Sequence, residues 1–193
     1  GQHSGSAVHD TVAGDDQLGA SLVVDHLVEL GHERIAFVTN HGDPIDPFRP
    51  ENVRLAGFRT SMERHGLERT AMVVEGSWSM DGGREAARVI EALEPRPTAV
   101  HAGADVVAFG MLSAWWDDGL RVPADFSLVG YDNSRTSSIG PISLTTVDQS
   151  GNQMGARAGE LLLERIAGRA EAVHELLEPR LVVRSTTAPL GSA

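Results

Sequence analysis

The 193-residue chain contains no cysteine. That excludes a disulfide framework, a cysteine-type zinc site and a cysteine nucleophile, and it suits a reducing cytosol. The chain is also short of positive charge. Its 16 basic residues face 27 acidic ones, for a formal net charge of −11, and no basic run compensates locally. Nucleic-acid phosphates demand clustered Lys and Arg, so this chain by itself is not predicted to bind DNA. No apolar run reaches the roughly 18 residues of a membrane span. The opening GQHSGSAVHD lacks the charged-then-apolar order of an export signal. A phosphate-cradling GxxxxGK[ST] loop, a GxGxxG turn after a strand and a GxSxG nucleophile elbow are all missing. The eight histidines do not pair at helical ligand spacing; His26 and His32 stand six apart and read as surface or capping residues. The expectation is therefore no catalytic residue, no metal site and no cofactor.

What is present is a regular alternation of helix and strand. After a small, polar opening through Gly14, Leu18, Leu22, Leu27 and Leu30 fall near one face of a helix, capped by Asp15 or Asp16 and ended by Gly31. Ile35-Ala36-Phe37-Val38 is an apolar run without alternation, the mark of a strand covered on both faces. The spacing then predicts a helix over 52–65 with Leu55, Phe58, Arg59 and Met62 stacked, a strand over 71–74, and a helix from an Asp81 cap to about Leu93. A strand over 98–102, a helix over 105–118 and a strand over 126–131 follow. Such β-α-β-α-β-α-β order implies a doubly wound, parallel α/β sheet with helices on both faces. Beyond Tyr131 come a loop rich in Ser and Gly, a short strand over 144–147, and a helix over 153–166 with Met154, Ala158, Leu161, Leu162 and Ile166 on its apolar side. Leu181-Val182-Val183 reads as a last strand. Adjacent Trp115 and Trp116 lie about 100° apart on a helix, so only one can face the core.

An open α/β sheet binds ligands beyond the carboxyl ends of its strands. Four loops qualify, and they deliver Arg54, Trp78, Ala104 with Asp105, and Asp132. An Arg fork, an indole face and a carboxylate converging on one rim can hold a polyhydroxylated or heterocyclic ligand. Each residue also has a purely structural reading. Arg54 can be a surface helix residue, Trp78 a cover for the sheet edge, Asp105 a helix N-cap and Asp132 the start of an Asx-turn.

The same segments carry a family resemblance. GASLVVDHLVELGHERIAFVTN (19–40), NVRLAGFRTSM (52–62), GSWSMDGGREAA (76–87), PTAVHAGADVVAFGML (97–112), GLRVPADFSLVGYDN (119–133) and LTTVDQSGNQMGARAGELLLERIAG (144–168) resemble, in unbroken order, the effector-binding region of LacI/GalR-type transcriptional regulators. The resemblance implies a fold like that of periplasmic sugar-binding proteins, with two α/β lobes holding a small-molecule effector between them. It also implies a homodimer, and operator DNA bound through a headpiece absent from this chain. Arg54 stands at the effector-contacting Arg of RLAGF, Trp78 where an aromatic often packs on the effector, and Asp132 at the acidic residue after VGY. Ala104 replaces a common Asn, which removes an amide's hydrogen-bonding capacity, and Gly151 stands where some sugar-binding members carry an aromatic residue; both count against a simple monosaccharide.

The expected organisation is mainly the C-terminal lobe. Residues 1–15 read as a residual first-lobe segment, 16–147 as the C-terminal lobe, 148–176 as a returning first-lobe strand and helix, and 177–193 as a tail returning to the C-terminal lobe. The expected function is an effector-sensing domain of a cytoplasmic bacterial repressor, not an enzyme and not membrane-bound. Its ligand would be sugar-like or nucleobase-like. The alternative is a periplasmic-type solute-binding protein. Substitution of Arg54, Trp78 or Asp132 is expected to leave folding intact, since all three lie in loops or at a helix start.

Overall fold

The computed structural model describes residues 8–40, 46 and 48–191. The glycines at positions 1 and 5 and the middle of the loop after the first predicted strand lie outside the described residues. The elements run β1 (Thr11–Gly14), α1 (Asp16–Glu29), β2 (Ile35–Asn40), α2 (Pro50–Arg64), β3 (Ala71–Gly76), α3 (Met80–Glu91), β4 (Ala99–Ala102) and α4 (Asp105–Asp117). They continue with β5 (Ser127–Tyr131), a 3-10 turn (Arg135–Ser138), β6 (Thr145–Asp148), α5 (Gly151–Ile166), β7 (His174–Leu177) and β8 (Arg180–Val182).

Six strands form one sheet in the order β3-β2-β4-β5-β6-β8. All neighbours are parallel except β6 and β8, which pair antiparallel at the edge. The central strands β4 and β5 are buried along their whole length, and β2 along all but its last residue, as the apolar run Ile35–Val38 predicts for a sheet covered on both faces. Strand order reverses between β2 and β4, because the chain first steps outward to β3 and then crosses back. That reversal opens a crevice at the carboxyl ends. β1 and β7 pair with each other in a separate two-stranded parallel sheet.

Two cores flank the large sheet. One holds Val23, Val24, Leu27, Phe37, Phe58 and Met62 under α1 and α2. The other packs α3 and α4, with Trp115 stacked on Phe126 at 4.4 Å and 8°. Trp115 is fully buried and its neighbour Trp116 is 50% exposed. The helices α3 and α4 cross at Gly83 and Gly110, where a Cβ would lie 2.2 Å from the Val107 carbonyl and 2.1 Å from that of Met80. Among the described residues no helix is long and apolar enough to cross a membrane.

Several local expectations need correction. The inward face of α1 is Gly19, Ala20, Val23, Val24 and Leu27; Leu18, Leu22 and Leu30 are only half-buried, because the small residues let α2 approach more closely than a leucine stripe would. On α2, Arg59 is exposed while Arg54, Phe58 and Met62 turn inward. The cap of α3 is Ser79, whose side chain accepts from the Gly82 N–H, and Asp81 sits in the first turn. Two histidines are core residues rather than surface or capping ones. His32 bonds Thr98 Oγ1 and Ser127 Oγ, both at 2.9 Å. His101 is fully buried between Phe37 and Tyr131.

Candidate functional site

Each loop singled out in the sequence leaves the carboxyl end of a parallel strand, so the topology brings them to one edge of the sheet. Asn40 closes β2, and its Oδ1 accepts from the Trp78 N–H just past β3. Gly103 and Ala104 follow β4, Asp132 follows β5, and Gln149 follows β6. Arg54, in the first turns of α2, reaches into their midst. Its Nε donates to Asp16 Oδ1 at 2.8 Å and its Nη1 to the Gly103 carbonyl at 2.7 Å. The guanidinium carbon sits 3.7 Å over the Tyr131 ring and 5.0 Å from the Trp78 ring centroid. Gly103 is required by this crowding, because a Cβ there would lie 2.7 Å from the Val38 carbonyl and 3.0 Å from Trp78 Nε1.

Arg54 is only 3% exposed, which settles its surface-helix reading: two of its three nitrogens are committed inside the protein. Trp78 is half-buried and packs against the α3/α4 core, so it covers the sheet edge while keeping part of its ring outward.

Asp132 lies at the rim as an exposed residue. Its carboxylate accepts from Gln149 Nε2 at 2.5 Å. The surrounding protein pushes the carboxyl up to about 6; Arg54's charge pulls against that, and Asp105's charge adds to it. Asp132 borders a polar hollow of ≈ 550 Å³ shared with Asn133, Asp148, Asn152, Gln153 and Arg180. Arg54 and Trp78 do not line that hollow; they stand behind it, at the same end of the sheet.

Ala104 and Asp105 are placed differently from a pair of ligand contacts. Ala104 is the N-cap of α4 and makes no side-chain cap bond. Asp105 therefore does not cap the helix. Its buried carboxylate instead accepts from the Ser134 N–H at 2.7 Å and from Thr146 Oγ1 at 2.6 Å. Burial raises its pKa. The Asp105 carboxylate is thus a brace turned into the protein.

Four further residues complete the site. Asp16 partners Arg54, Tyr131 lies under the guanidinium, Gln149 donates to Asp132, and Asn40 orients the Trp78 loop. Asn40 and Tyr131 were open to inference, since both are terminal residues of strands in a sheet of this type. Asp16 lies 38 residues from Arg54 and carries no local sign of the pairing. Beneath the site both ring nitrogens of His101 lack hydrogen-bond partners. Burial first, and the nearby Arg54 charge second, lower its pKa to about 3, so the ring stays neutral.

Comparison with known proteins agrees with this fold. The model of a periplasmic binding protein-like domain matches residues 24–187. The HTH-type transcriptional repressor PurR of Mannheimia succiniciproducens is 37% identical over 87% of this chain and 50% of its own length. The chain therefore spans about half the length of the curated relatives it matches. A LacI transcriptional regulator from a Rhodococcus species superposes with a TM-score of 0.86 at 40% identity, over 92% of this chain and 64% of that one. A LacI-family regulator of Enterococcus faecalis, solved with bound ribose, gives a TM-score of 0.87 at 31% identity, over 97% of this chain and 66% of that one. These relatives are regulators of transcription, not enzymes.

Proposed function

Because the chain belongs to the periplasmic-binding-protein-like family, as an effector-binding domain of the LacI type, we propose that it senses a small molecule and transmits its presence to a DNA-binding headpiece. The parent is a cytoplasmic repressor in this reading, and the chain itself has no catalytic role. One observation carries the proposal: Arg54 over the Trp78 ring, and Asp132 within reach of the Arg54 charge, stand at the carboxyl end of the sheet, on the side of the strand-order reversal where such sheets take ligands. The ligand presents hydroxyl or ring N–H donors to Asp132 and an apolar face to Trp78. A sugar or sugar derivative fits that description, and the ribose-bound relative supports it. A nucleobase is the second reading, favoured by the buried Ala104, which leaves fewer polar groups than a polyol would engage.

The lobes are assigned within the same proposal. Residues 1–15 and 148–176 belong to a first lobe, and 16–147 with the 177–193 tail to the second. Supporting this division, β1 and β7 pair only with each other. Homodimerisation is assigned to the outer face of α3 and α4. There Met80 (44% exposed) and Trp116 (50%) line a hollow together with Phe109, Leu112 and Ile142.

The test is a thermal-shift screen of the protein against ribose, other sugars, polyols, adenine and guanine. A ligand at ~100 times its Kd stabilises by about 2.7 kcal/mol. Asp132→Ala is expected to weaken the response by roughly tenfold to a hundredfold in Kd, the size of a hydrogen bond to a charged group. An undiminished response in that variant would overturn the assignment.

A further inference from the structure

The backbone that presents Asp132 is unfavourable. Asp132 (φ 115) and Asn133 (φ 47) are consecutive, and neither is glycine, yet both lie at positive φ. Side-chain-bearing residues stay there only when their surroundings hold them. The holding groups come from distant parts of the chain. Asp105 accepts from the Ser134 N–H on one side. On the other stands Arg184, two residues past the end of β8. Its Nη2 donates to Asn133 Oδ1 at 2.7 Å, and its Nη1 to the Leu144 carbonyl at 2.6 Å and to Ser137 Oγ at 3.2 Å. Its own backbone N–H is fixed to Thr145 Oγ1 at 2.9 Å, so the fork is anchored at its root. One guanidinium thus clamps the start, the middle and the exit of the loop that follows β5.

We propose that Arg184, on the tail segment after β8, is the positioning residue that keeps Asp132 aimed at the cleft. It touches no ligand itself. It acts by fixing the Asn133 side chain, and with it the left-handed backbone on which Asp132 depends. Without it, the Asn133 side-chain oxygen keeps only Ser137 Oγ at 3.4 Å, and the backbone keeps the Asn133 N–H bond to Thr146 Oγ1 at 3.3 Å and the Asp132 N–H bond to the Val147 carbonyl at 2.9 Å, none of which fixes the Asn133 side chain. A lysine cannot substitute, because one ammonium cannot span acceptors that engage two separate guanidinium nitrogens. The link to ligand recognition rests on the role given to Asp132 above.

The experiment is a carbon-detected NMR titration of the Asp132 carboxyl, with amide exchange of Ser137 and Leu144, in the full chain and in Arg184→Lys and Arg184→Met. The wild-type midpoint is expected above the ordinary aspartate value, pushed up to about 6 by the surrounding protein. In both variants the midpoint is expected to fall toward the ~4 of an unhindered aspartate, and exchange of the two amides to rise at least tenfold. Asn133→Gly placed in the Arg184→Met background is expected to restore both, since glycine adopts the required φ unaided. An unchanged Asp132 midpoint in the Arg184 variants overturns the proposal, and Arg184→Lys decides the matter if Arg184→Met does not fold. Thermal shifts with ribose and guanine separate the two claims. A response lost in Asp132→Ala but kept in both Arg184 variants overturns the positioning role alone. A response kept in Asp132→Ala overturns the reading of the site, while the titration still reports whether Arg184 holds the loop.

Discussion

A buried guanidinium survives only where both its charge and its donors are answered. Arg54 meets that condition through the Asp16 carboxylate, with both side chains 4% exposed, and through the Gly103 carbonyl. The expectation that its substitution spares folding is therefore revised. Arg54→Met takes the ion-pair partner away from the buried Asp16 carboxylate, and breaking a buried pair in this way costs about 3–5 kcal/mol. Arg54→Met combined with Asp16→Leu is expected to cost less than Arg54→Met alone; chemical denaturation of the three proteins checks this. His101 sets a second residue-scale prediction. Its folded pKa of about 3 lies below the ordinary 6.5, so its contribution to stability is complete above pH 6.5. As pH falls through 6.5, the unfolded chain takes up a proton that the folded ring refuses. Stability is lost down to about pH 3, at up to ~1.4 kcal/mol per pH unit. Asp132, raised to about 6, acts in the opposite sense: between pH 6 and 4 the folded state holds the extra proton, and stability rises as pH falls. His101→Leu should flatten the acid limb of a melting-temperature profile, and Asp132→Asn should steepen it. The position of Trp78 and Asp132 at the carboxyl end of the sheet could be read from the sequence because each stands just past a recognisable strand, and that of Arg54 because it lies near the start of the helix after one. Asp16, Gln149 and Arg184 could not, because their partners lie 38, 17 and 51 residues away and nothing near them in the chain marks the pairing.

Elements were legible in proportion to how strongly local chemistry marks them. β2 and β5 carry unbroken apolar runs and were found within a residue or two. β1 and β7 escaped notice. Each has four residues, Thr11–Gly14 and His174–Leu177; neither is fully buried, and neither sequence, TVAG or HELL, alternates apolar with polar residues; they are strands because they have each other. What secures them is ionic. Asp10 accepts from Arg165 and Arg169 and from the Val173 N–H at 2.8 Å, contacts that draw its carboxyl well below the usual range. Asp10→Asn should loosen this short sheet alone. Amide exchange at Thr11 and Val173 would quicken while β4 and β5 keep their protection; equal loss everywhere would contradict it. The α3–α4 crossing is the opposite case, fixed by what is missing. Gly110→Val would drive a side chain into the Met80 carbonyl. It should cost at least the ~1–3 kcal/mol typical of overpacking, since a backbone carbonyl cannot step aside as a side chain can.

At the scale of the whole molecule, two apolar faces stay uncovered. One is the α3/α4 surface around Trp116. Trp116→Glu should shift sedimentation of the chain from dimer to monomer without moving its melting temperature, and a wild type that sediments only as monomer would refute the interface. The other is the flank of α5, where Leu162, Leu163 and Ile166 are 61%, 66% and 75% exposed. Sequence periodicity identified that apolar stripe, but only the fold shows that Leu161 alone is buried by the β1 side. The pairing of β1 with β7 also has a consequence in time. Thr11 and its partner His174 are 163 residues apart, and translation adds roughly 5–20 residues each second. On a ribosome the first strand is therefore kept waiting for about 8–30 s, while β2, β3 and β4 can already have assembled beside it. Val12 and Ala13 spend that interval without their neighbour, so a strand made before β2, β3 and β4 finds its partner only after them.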